Sequence, residues 1–259
     1  MFDYVAPADF LEQKSILITG ASDGIGKCCA ITFAKYGANL ILLGRSLEKL
    51  EQVYDEVEAI NPGRVSIQPI DFKAAQEDAY ATLATSVAEN YDCLDGLILN
   101  ASMLGARNPI EFVPADVWEE TMRVNVNSTF LLTKAMLPLL RLSRDARLLF
   151  ISSSVGRKGR AHWGAYGVSK FAIEGLMQTL AEEMEKTSTV KVNSLNPGGT
   201  RTGMRQEAYP AEDPYSLPTP EDLMPVYLYL LSTEAQGIHG QAIDARDFEP
   251  GKYFPPPKK

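Results

Sequence analysis

Short apolar runs alternate with longer segments of helical periodicity along the 259 residues of the chain. The runs are rich in Ile, Leu and Val and lack period-two alternation, which is the pattern of strands buried on both faces. The predicted strands are residues 15–19, 40–43, 65–70, 97–100, 148–152, 190–195 and 241–244. The predicted helices are residues 24–36, 47–60, 74–90, 125–142, 165–186 and 220–231.

Repeated β-α-β alternation predicts a parallel sheet, because each crossover helix returns the chain to the same edge. We therefore expect an α/β protein with a single-domain, doubly wound Rossmann fold. About seven parallel strands would carry helices on both faces. The domain would span residues 1–248, and residues 249–259 would form a flexible tail. Residues 202–218 contain three prolines among polar residues and predict a mobile loop.

Composition narrows the range of partners. The formal net charge is −8, and no basic patch interrupts it, so nucleic acid is not an expected partner. Two histidines and three cysteines without a CxxC pair predict neither a metal site nor a disulfide framework. The first residues do not resemble a signal peptide, and no apolar run has the length of a membrane span. We expect a cytoplasmic protein with no membrane partner.

A glycine-rich turn follows the first predicted strand, with the sequence Thr-Gly-Ala-Ser-Asp-Gly-Ile-Gly over residues 19–26. A strand, a glycine turn and a helix N-terminus together present free backbone N–H groups and a positive dipole end to an anion. Gly20 allows the sharp exit from the strand, and Gly24 and Gly26 allow close approach of a pyrophosphate. The alternative is a tight turn that needs glycine for packing alone. In a β-α-β context, the turn favours dinucleotide binding.

The end of the second strand indicates which dinucleotide. An acid there usually binds the ribose hydroxyls of NAD, whereas an arginine nearby accommodates the 2′-phosphate of NADP. Here Arg45 and Ser46 follow the strand and no acid is present. The residues favour NADP (NADPH) over NAD, because a guanidinium can hold a phosphate by two hydrogen bonds. The alternative is that Arg45 is a solvated charge and Ser46 only a helix cap; Asp23 in the first turn also argues against an anion.

A second cluster of polar residues predicts acid–base chemistry. Tyr166 and Lys170 are four residues apart in a predicted helix and so share a face. A nearby cation lowers the pKa of a phenol, which then suits proton transfer to or from a carbonyl or alcohol oxygen. Ser153 follows the fifth strand, at the edge where open α/β sheets bind ligands, and its hydroxyl could hold the reacting oxygen. Each signal is weak alone, but together they follow the glycine turn in the expected order.

These motifs resemble those of the short-chain dehydrogenase/reductase family over residues 11–244. The turn resembles the TGxxxGxG cofactor loop of the family. Asn125, Ser153, Tyr166 and Lys170 match its catalytic tetrad. Residues 153–157 and 196–202 are similar to one group of bacterial oxidoreductases within the family.

The resemblance implies an NAD(P)-dependent oxidoreductase that moves a hydride between nicotinamide and a carbonyl or secondary alcohol substrate. Tyr166 would be the acid–base group, and Lys170 would bind ribose and depress the pKa of Tyr166. Ser153 would orient the substrate oxygen, and Asn125 would anchor a water near Lys170. The resemblance also implies a homodimer or homotetramer that uses helices 125–142 and 165–186. The cofactor contacts that the turn, the second strand and the resemblance together predict are Gly20, Ser22, Asp23, Gly24, Ile25, Gly26, Arg45, Ser46, Asp71, Phe72, Asn100, Ala101, Ser102, Tyr166, Lys170, Pro197, Gly198, Thr200 and Thr202.

The sequence departs from the family pattern in two places. Ser102 stands where the family has a glycine, and Asp244-Ala245-Arg246-Asp247 replaces its C-terminal DGG. Neither change affects the predicted tetrad. Met103, Trp163 and Met204 are predicted substrate contacts, since they could line an apolar pocket.

Two other functions remain open at this point. A cofactor-binding scaffold or redox-responsive partner protein would share the fold, but it has no need of a Tyr–Lys pair. An epimerase or dehydratase acting on nucleotide sugars would carry a GxxGxxG turn and a longer C-terminal region, which this chain lacks.

Overall fold

A computed structural model describes residues 2–254 of the chain. Within this range one sheet contains seven strands, all parallel, in the order β3-β2-β1-β4-β5-β6-β7. The strands are β1 Ser15–Thr19, β2 Asn39–Gly44, β3 Val65–Pro69, β4 Gly96–Leu99, β5 Arg147–Ile151, β6 Lys191–Asn196 and β7 Ala242–Asp244. The predicted doubly wound Rossmann fold is confirmed.

Eight α-helices surround the sheet in the described part of the chain. They are α1 Gly24–Lys35, α2 Leu47–Ile60, α3 Glu77–Asn90, α4 Ala115–Met122, α5 Ser128–Leu142, α6 Gly164–Met184, α7 Gly203–Ala208 and α8 Met224–Leu231. Two apolar clusters fill the space between helices and sheet. One packs α1, α2 and α8 on the first face, and the other packs α3, α5 and α6 on the second. No helix among residues 2–254 combines the length and apolarity that crossing a bilayer requires.

The strand order reverses between β1 and β4. The strands that follow β1 lie in one half of the sheet, and those that follow β4 lie in the other half. Beyond the carboxyl ends of these strands the connecting loops separate, so the fold itself creates a crevice there. The glycine turn follows β1, and the loop that begins at Asn100 follows β4. The crevice is therefore bordered by two segments that the sequence marks as functional.

Three predicted boundaries are corrected by the structure. Residues 202–218 are not all loop, because the Thr202 side chain accepts a hydrogen bond from the Arg205 N–H and begins α7. The last predicted helix starts later: residues 221–223 form a 3₁₀ turn before α8. In addition, α4 and a π-helical turn at Arg123–Asn127 precede α5, where the periodicity predicted only one helix from residue 125.

The C-terminal segment follows β7. Pro250–Lys252 form a 3₁₀ turn, and the Tyr253 ring stacks on Phe248 with 5.5 Å between ring centroids. Residues 255–259 of the predicted tail lie outside the described residues. The domain boundary at residue 248 and the flexibility of the tail stay predictions.

Candidate active site

The glycine turn brings the start of α1 close to the end of β1. Gly20 and Gly24 have φ values of +65° and +53°, in the left-handed region that favours glycine. At Gly26 a Cβ atom would collide with the Gly20 carbonyl oxygen, so only glycine permits this approach. Asp23 caps α1 and accepts a hydrogen bond of 2.7 Å from the Gly24 N–H. The N-terminus of α1 therefore lies at the crevice, as the sequence predicts.

A clasp between Thr19 and Asn100 ties together the carboxyl ends of the two central strands. The Thr19 hydroxyl oxygen accepts hydrogen bonds from the N–H groups of Asn100 and Ala101, both 2.9 Å long. In return, the Asn100 side-chain amide donates to the Thr19 carbonyl at 3.1 Å. The same amide nitrogen lies against Gly20 and Gly26. The clasp thus fixes the glycine turn relative to the loop after β4.

A cleft of about 750 Å³ opens at this edge of the sheet; we call it the main cleft. This volume is within the usual range of ligand and cofactor sites. Its wall contains most of the residues predicted to contact a cofactor: Gly20, Ser22, Asp23, Gly24, Ile25, Arg45, Ser46, Asn100, Ala101, Ser102, Tyr166, Lys170, Pro197 and Thr202. Met103 and Met204 line it too. The Ser102 hydroxyl is buried and has no hydrogen-bond partner among the described residues, so it is available to a bound ligand.

Five predicted cofactor contacts are not in the wall of the main cleft. Gly26 lies behind it, against the Gly20 carbonyl. Asp71 is exposed and accepts a hydrogen bond from the Lys73 N–H, and Phe72 stacks on Tyr80 within the second apolar cluster. Gly198 and Thr200 line a different cavity, described next. Among these predicted cofactor contacts, Phe72 has its side chain in the apolar core.

A smaller cavity of about 120 Å³, the side pocket, adjoins the main cleft. Tyr166 and Met204 belong to the walls of both, so the two cavities are adjoining parts of one site. Ser153 and Trp163 line the side pocket, and Trp163 packs on Tyr166 with 5.5 Å between ring centroids. The side pocket therefore combines apolar side chains with the hydroxyl-bearing residues Ser152, Ser153, Tyr166, Thr200 and Thr202.

Lys170 and Tyr166 are both buried on the face of α6 that meets the end of β5. The Lys170 ammonium donates a 2.8 Å hydrogen bond to the Ile151 carbonyl and lies 5.4 Å from the Tyr166 ring centroid. Burial lowers the pKa of Lys170 to about 8, although neighbouring Glu174 acts in the opposite direction. Burial raises the pKa of Tyr166 to about 12, and the Ser153 hydroxyl offsets part of this rise.

The structure thus brings the Tyr–Lys pair together as predicted, but it corrects the expected pKa of the phenol. Lys170 is not among the causes that act on Tyr166, because the ammonium is directed to a backbone carbonyl rather than to the phenol oxygen. Desolvation of the phenolate is the larger effect in this state.

Asn125 lies behind the main cleft rather than in its wall. It belongs to the π-helical turn, a feature often found at functional sites. Its side chain accepts a hydrogen bond from the Met103 N–H (2.8 Å) and donates to the Met103 carbonyl (2.9 Å) and to Ser169 (3.0 Å). Asn125 therefore connects the loop after β4 to α6. The water-anchoring role that the resemblance implies stays a prediction.

The C-terminal departure from the family pattern has a structural role. Asp244 forms an ion pair with Arg157 (2.8 Å), and Arg157 also pairs with buried Glu174 (3.1 Å) on α6. Arg246 packs over Gly198 and hydrogen-bonds to the Gly199 carbonyl. These contacts link β7, α6 and the segment after β6 beside the side pocket.

The sequence analysis missed several residues of the site. Lys49 lines the main cleft. Lys49 lies in the first turn of α2, four residues after Arg45. This spacing is a sequence signal by which Lys49 could have been predicted. Arg107 lies 4.5 Å from the Trp163 ring centroid, a contact that no local pattern indicates. Among residues 2–254, no group of three or more His, Cys, Asp or Glu side chains is placed to hold a metal ion.

Comparison with known proteins is consistent with this geometry. The profile of the short chain dehydrogenase family matches residues 14–213. Oxidoreductase YciK of Escherichia coli (strain K12) is 47% identical over 249 residues, which cover 96% of this chain and 97% of YciK.

Two solved structures are similar over nearly the whole chain. A short chain dehydrogenase from Pseudomonas syringae has a TM-score of 0.92 and 51% identity, over 95% of this chain and 99% of the other. A short chain dehydrogenase from Shigella flexneri 2a, solved in complex with NADP, has a TM-score of 0.90 and 46% identity, over 93% and 100%.

The chain belongs to the short-chain dehydrogenase/reductase family and is an NAD(P)-dependent oxidoreductase. The family resemblance inferred from the motifs is confirmed.

The buried ammonium predicts a specific pH dependence of stability. Below pH 8 Lys170 is charged in the folded and the unfolded chain, so the full cost of burying the charge opposes folding. Between pH 8 and the ordinary pKa of 10.5 the unfolded chain binds more protons, so this group makes stability rise with pH. Lys170→Met should therefore differ most from the parent at pH 7, with the difference shifting in favour of the parent as pH approaches 10.

Urea unfolding of both proteins without cofactor, at pH 7, 8, 9 and 10, measures this difference. Groups that titrate equally in both proteins cancel in the comparison. A difference in unfolding free energy that stays constant from pH 7 to pH 10 would contradict the low pKa of Lys170.

Proposed function

We propose that the protein is an NADP(H)-preferring oxidoreductase that transfers a hydride between nicotinamide and a carbonyl or secondary alcohol substrate. The observation that carries the proposal is the position of Tyr166, whose side chain is in the wall of both the main cleft and the side pocket. A proton-transfer group at such a junction reaches ligands in both cavities. The main cleft would hold the dinucleotide, and the side pocket would hold the reacting end of the substrate.

The fit of the dinucleotide rests on this chain's own residues. The glycine turn leaves room for a pyrophosphate at the N-terminus of α1, where the helix dipole favours negative charge. Ser102 offers an unpartnered hydroxyl in the same wall. When bound, the nicotinamide supplies or accepts the hydride.

Each member of the tetrad has a distinct role in the proposal. Tyr166 gives a proton to the carbonyl oxygen during reduction and takes one from the alcohol during oxidation. Ser153 donates a hydrogen bond to the same substrate oxygen. Lys170 binds the ribose with the N–H donors that the Ile151 carbonyl does not use. Asn125 positions the loop after β4 through Met103.

A catalytically silent binding protein is the weaker candidate. Burying an ammonium and a phenol on one helix face opposes folding, so their presence indicates a functional purpose. Chemistry at Tyr166 supplies that purpose, whereas cofactor binding alone does not require the phenol.

Preference for NADP rather than NAD is proposed from the charges at one end of the main cleft. Arg45 and Lys49 both line that end, and Ser46 lies between them as the cap of α2. Arg45 is exposed, so its guanidinium is free to form two hydrogen bonds to a 2′-phosphate. The NADP complex of the Shigella flexneri relative supports the same choice.

We expect Arg45→Ala to weaken NADPH binding by about 10- to 100-fold, since hydrogen bonds to a charged group contribute about 1.5–3 kcal/mol. NADH binding should change little, because NADH has no 2′-phosphate. Titration of parent and variant with each cofactor, followed by nicotinamide fluorescence, measures both constants. Lys49→Ala serves as the matched second variant. An unchanged NADPH/NADH ratio in Arg45→Ala with a reduced ratio in Lys49→Ala would assign the phosphate to Lys49 instead.

Tyr166→Phe removes only the phenol oxygen and so tests acid–base chemistry. We expect NADPH-dependent carbonyl reduction to fall by about 10²- to 10⁴-fold, the usual contribution of general acid–base catalysis. NADPH affinity should be retained. Tyr54→Phe on the outer helix α2 is the control for the same chemical change. If Tyr166→Phe reduced carbonyl compounds as fast as the parent, the acid–base role would be wrong.

A homodimer or homotetramer is proposed on the outer face of α5 and α6. Phe130 on α5 and Val168 and Phe171 on α6 are large apolar side chains that are 44–48% exposed. Burial of this patch against a second copy would remove it from water. Light scattering should therefore give a dimer or tetramer mass, and Phe171→Glu should shift it towards the monomer. A monomeric parent at micromolar concentration would contradict the proposal.

The proposed site of action is the cytoplasm. Cys28, Cys29 and Cys93 are free thiols, and thiols persist in the reducing cytoplasm.

A further inference from the structure

Three arginines surround Tyr209, the residue that follows α7. The guanidinium carbons of Arg205 and Arg107 lie 3.9 Å and 4.6 Å from the centroid of its ring, and an Arg160 nitrogen lies 3.5 Å from its phenol oxygen. Like charges held this close repel one another unless anions compensate them. The cluster also stands out because the chain as a whole carries a net charge of −8.

Only one of the three arginines is compensated by an acidic side chain. Arg205 forms two hydrogen bonds of 2.6 Å to the carboxylate of Glu212. Neither Arg107 nor Arg160 forms an ion pair within residues 2–254. The Arg107 Nε atom is moreover buried without a hydrogen-bond partner in that range. A buried donor without an acceptor is unfavourable, so an anion that accepts from this donor would satisfy it.

Aromatic rings hold Arg107 in place without using its N–H groups. Its guanidinium carbon lies 4.5 Å from the Trp163 ring centroid and 4.6 Å from that of Tyr209. Cation–π attraction to the two rings fixes the guanidinium plane and leaves its donors available. Trp163 in turn packs on Tyr166, the proposed proton-transfer residue. The guanidinium is therefore separated from the reacting phenol by a single ring.

We propose that Arg107 and Arg160 bind an acidic group of the substrate, a carboxylate or a phosphate, while its carbonyl or alcohol carbon lies at Tyr166. The guanidinium fork matches the paired oxygens of both groups. The inference rests on the proposed function, because it assumes that the reaction takes place at Tyr166. It assigns a class to the substrate: a small carbonyl or hydroxy compound with an anionic group a few bonds from the reacting carbon.

Matched pairs of carbonyl compounds test the assignment. Reduction by NADPH is measured for 4-oxopentanoate against its methyl ester, and for dihydroxyacetone phosphate against dihydroxyacetone. The first pair probes a carboxylate and the second a phosphate. In at least one pair, we expect kcat/KM of the acidic member to exceed that of the neutral member by about 10- to 100-fold, the factor for a charged hydrogen bond.

Three variants separate recognition of the acid from packing. Arg107→Met should abolish the preference, because kcat/KM of the acidic member should fall far more than that of the neutral member. Arg107→Lys should retain part of the preference, since lysine keeps the positive charge but lacks the paired N–H donors of the guanidinium. Arg64→Met removes one positive charge at the opposite edge of the sheet, before β3, and should retain the full preference. Equal losses for acidic and neutral members in Arg107→Met would show a packing role and overturn the proposal.

A binding measurement makes the outcome independent of turnover. Trp118 and Trp163 are the two tryptophans, so Trp118→Phe leaves Trp163, which contacts Arg107, as the sole reporter. Titration of this variant in the presence of NADP with 4-oxopentanoate and with inorganic phosphate should give a saturable fluorescence change that Arg107→Met removes. Absence of a saturable change with both probes would overturn the acid site.

The two proposals fail in different ways. Saturable anion binding without NADPH oxidation on any probe would retain the acid site and count against the oxidoreductase reaction at Tyr166. NADPH oxidation with equal kcat/KM for both members of each pair would retain the reaction and overturn the acid site.

Discussion

The site depends on one buried ammonium. Lys170 is 4% exposed, and its hydrogen bond to the Ile151 carbonyl holds α6 against the end of β5. An ammonium has three N–H donors, and burying it without full hydrogen bonding opposes folding. The fold tolerates this because the surrounding layers are packed on both faces of the sheet. The position of Tyr166 follows from it, since Tyr166 lies one helical turn before Lys170 on the same face of α6.

The acid–base properties of the pair follow from the same burial. Desolvation lowers the pKa of Lys170 to about 8 and raises that of Tyr166 to about 12, so both neutral forms are favoured relative to the ordinary values. The sequence alone suggested a phenol already tuned by its neighbour. The proposed proton transfer by Tyr166 near neutral pH therefore requires a change in hydrogen bonding or charge at the site. Ligand binding in the main cleft is the event available to bring that change.

The sheet and the glycine turn could be predicted from sequence because their causes are local. Buried parallel strands require continuous apolar runs, and the collision that a Cβ at Gly26 would cause explains why glycine stands there. The short helix α4 was missed, because Thr121 is its only fully buried residue and the apolar periodicity is correspondingly faint. Helix α7 was missed because prolines dominate the composition of residues 202–218, although Thr202 is a typical helix cap.

Side-chain placement over long range could not be predicted in the same way. Phe72 follows β3 and is a predicted cofactor contact, but its ring packs on Tyr80 within the second apolar cluster. The contacts of Arg107 with Trp163 and Tyr209 join three separate loops and leave no periodic trace in the sequence. Such contacts become visible only when the topology has brought the loops to one edge of the sheet.

The net charge of the chain does not show how charged side chains are distributed along the carboxyl edge of the sheet. The net charge of −8 would repel an anionic cofactor, but salt limits that effect to about 8 Å at physiological ionic strength. Local groups therefore decide the potential inside the site. Arg45 and Lys49 line the main cleft. Arg107 packs on Trp163, which lines the side pocket, and Arg160 lies at the phenol oxygen of Tyr209. The cofactor and substrate proposals assign these cationic groups to two anionic ligands, with the buried phenol of Tyr166 between them.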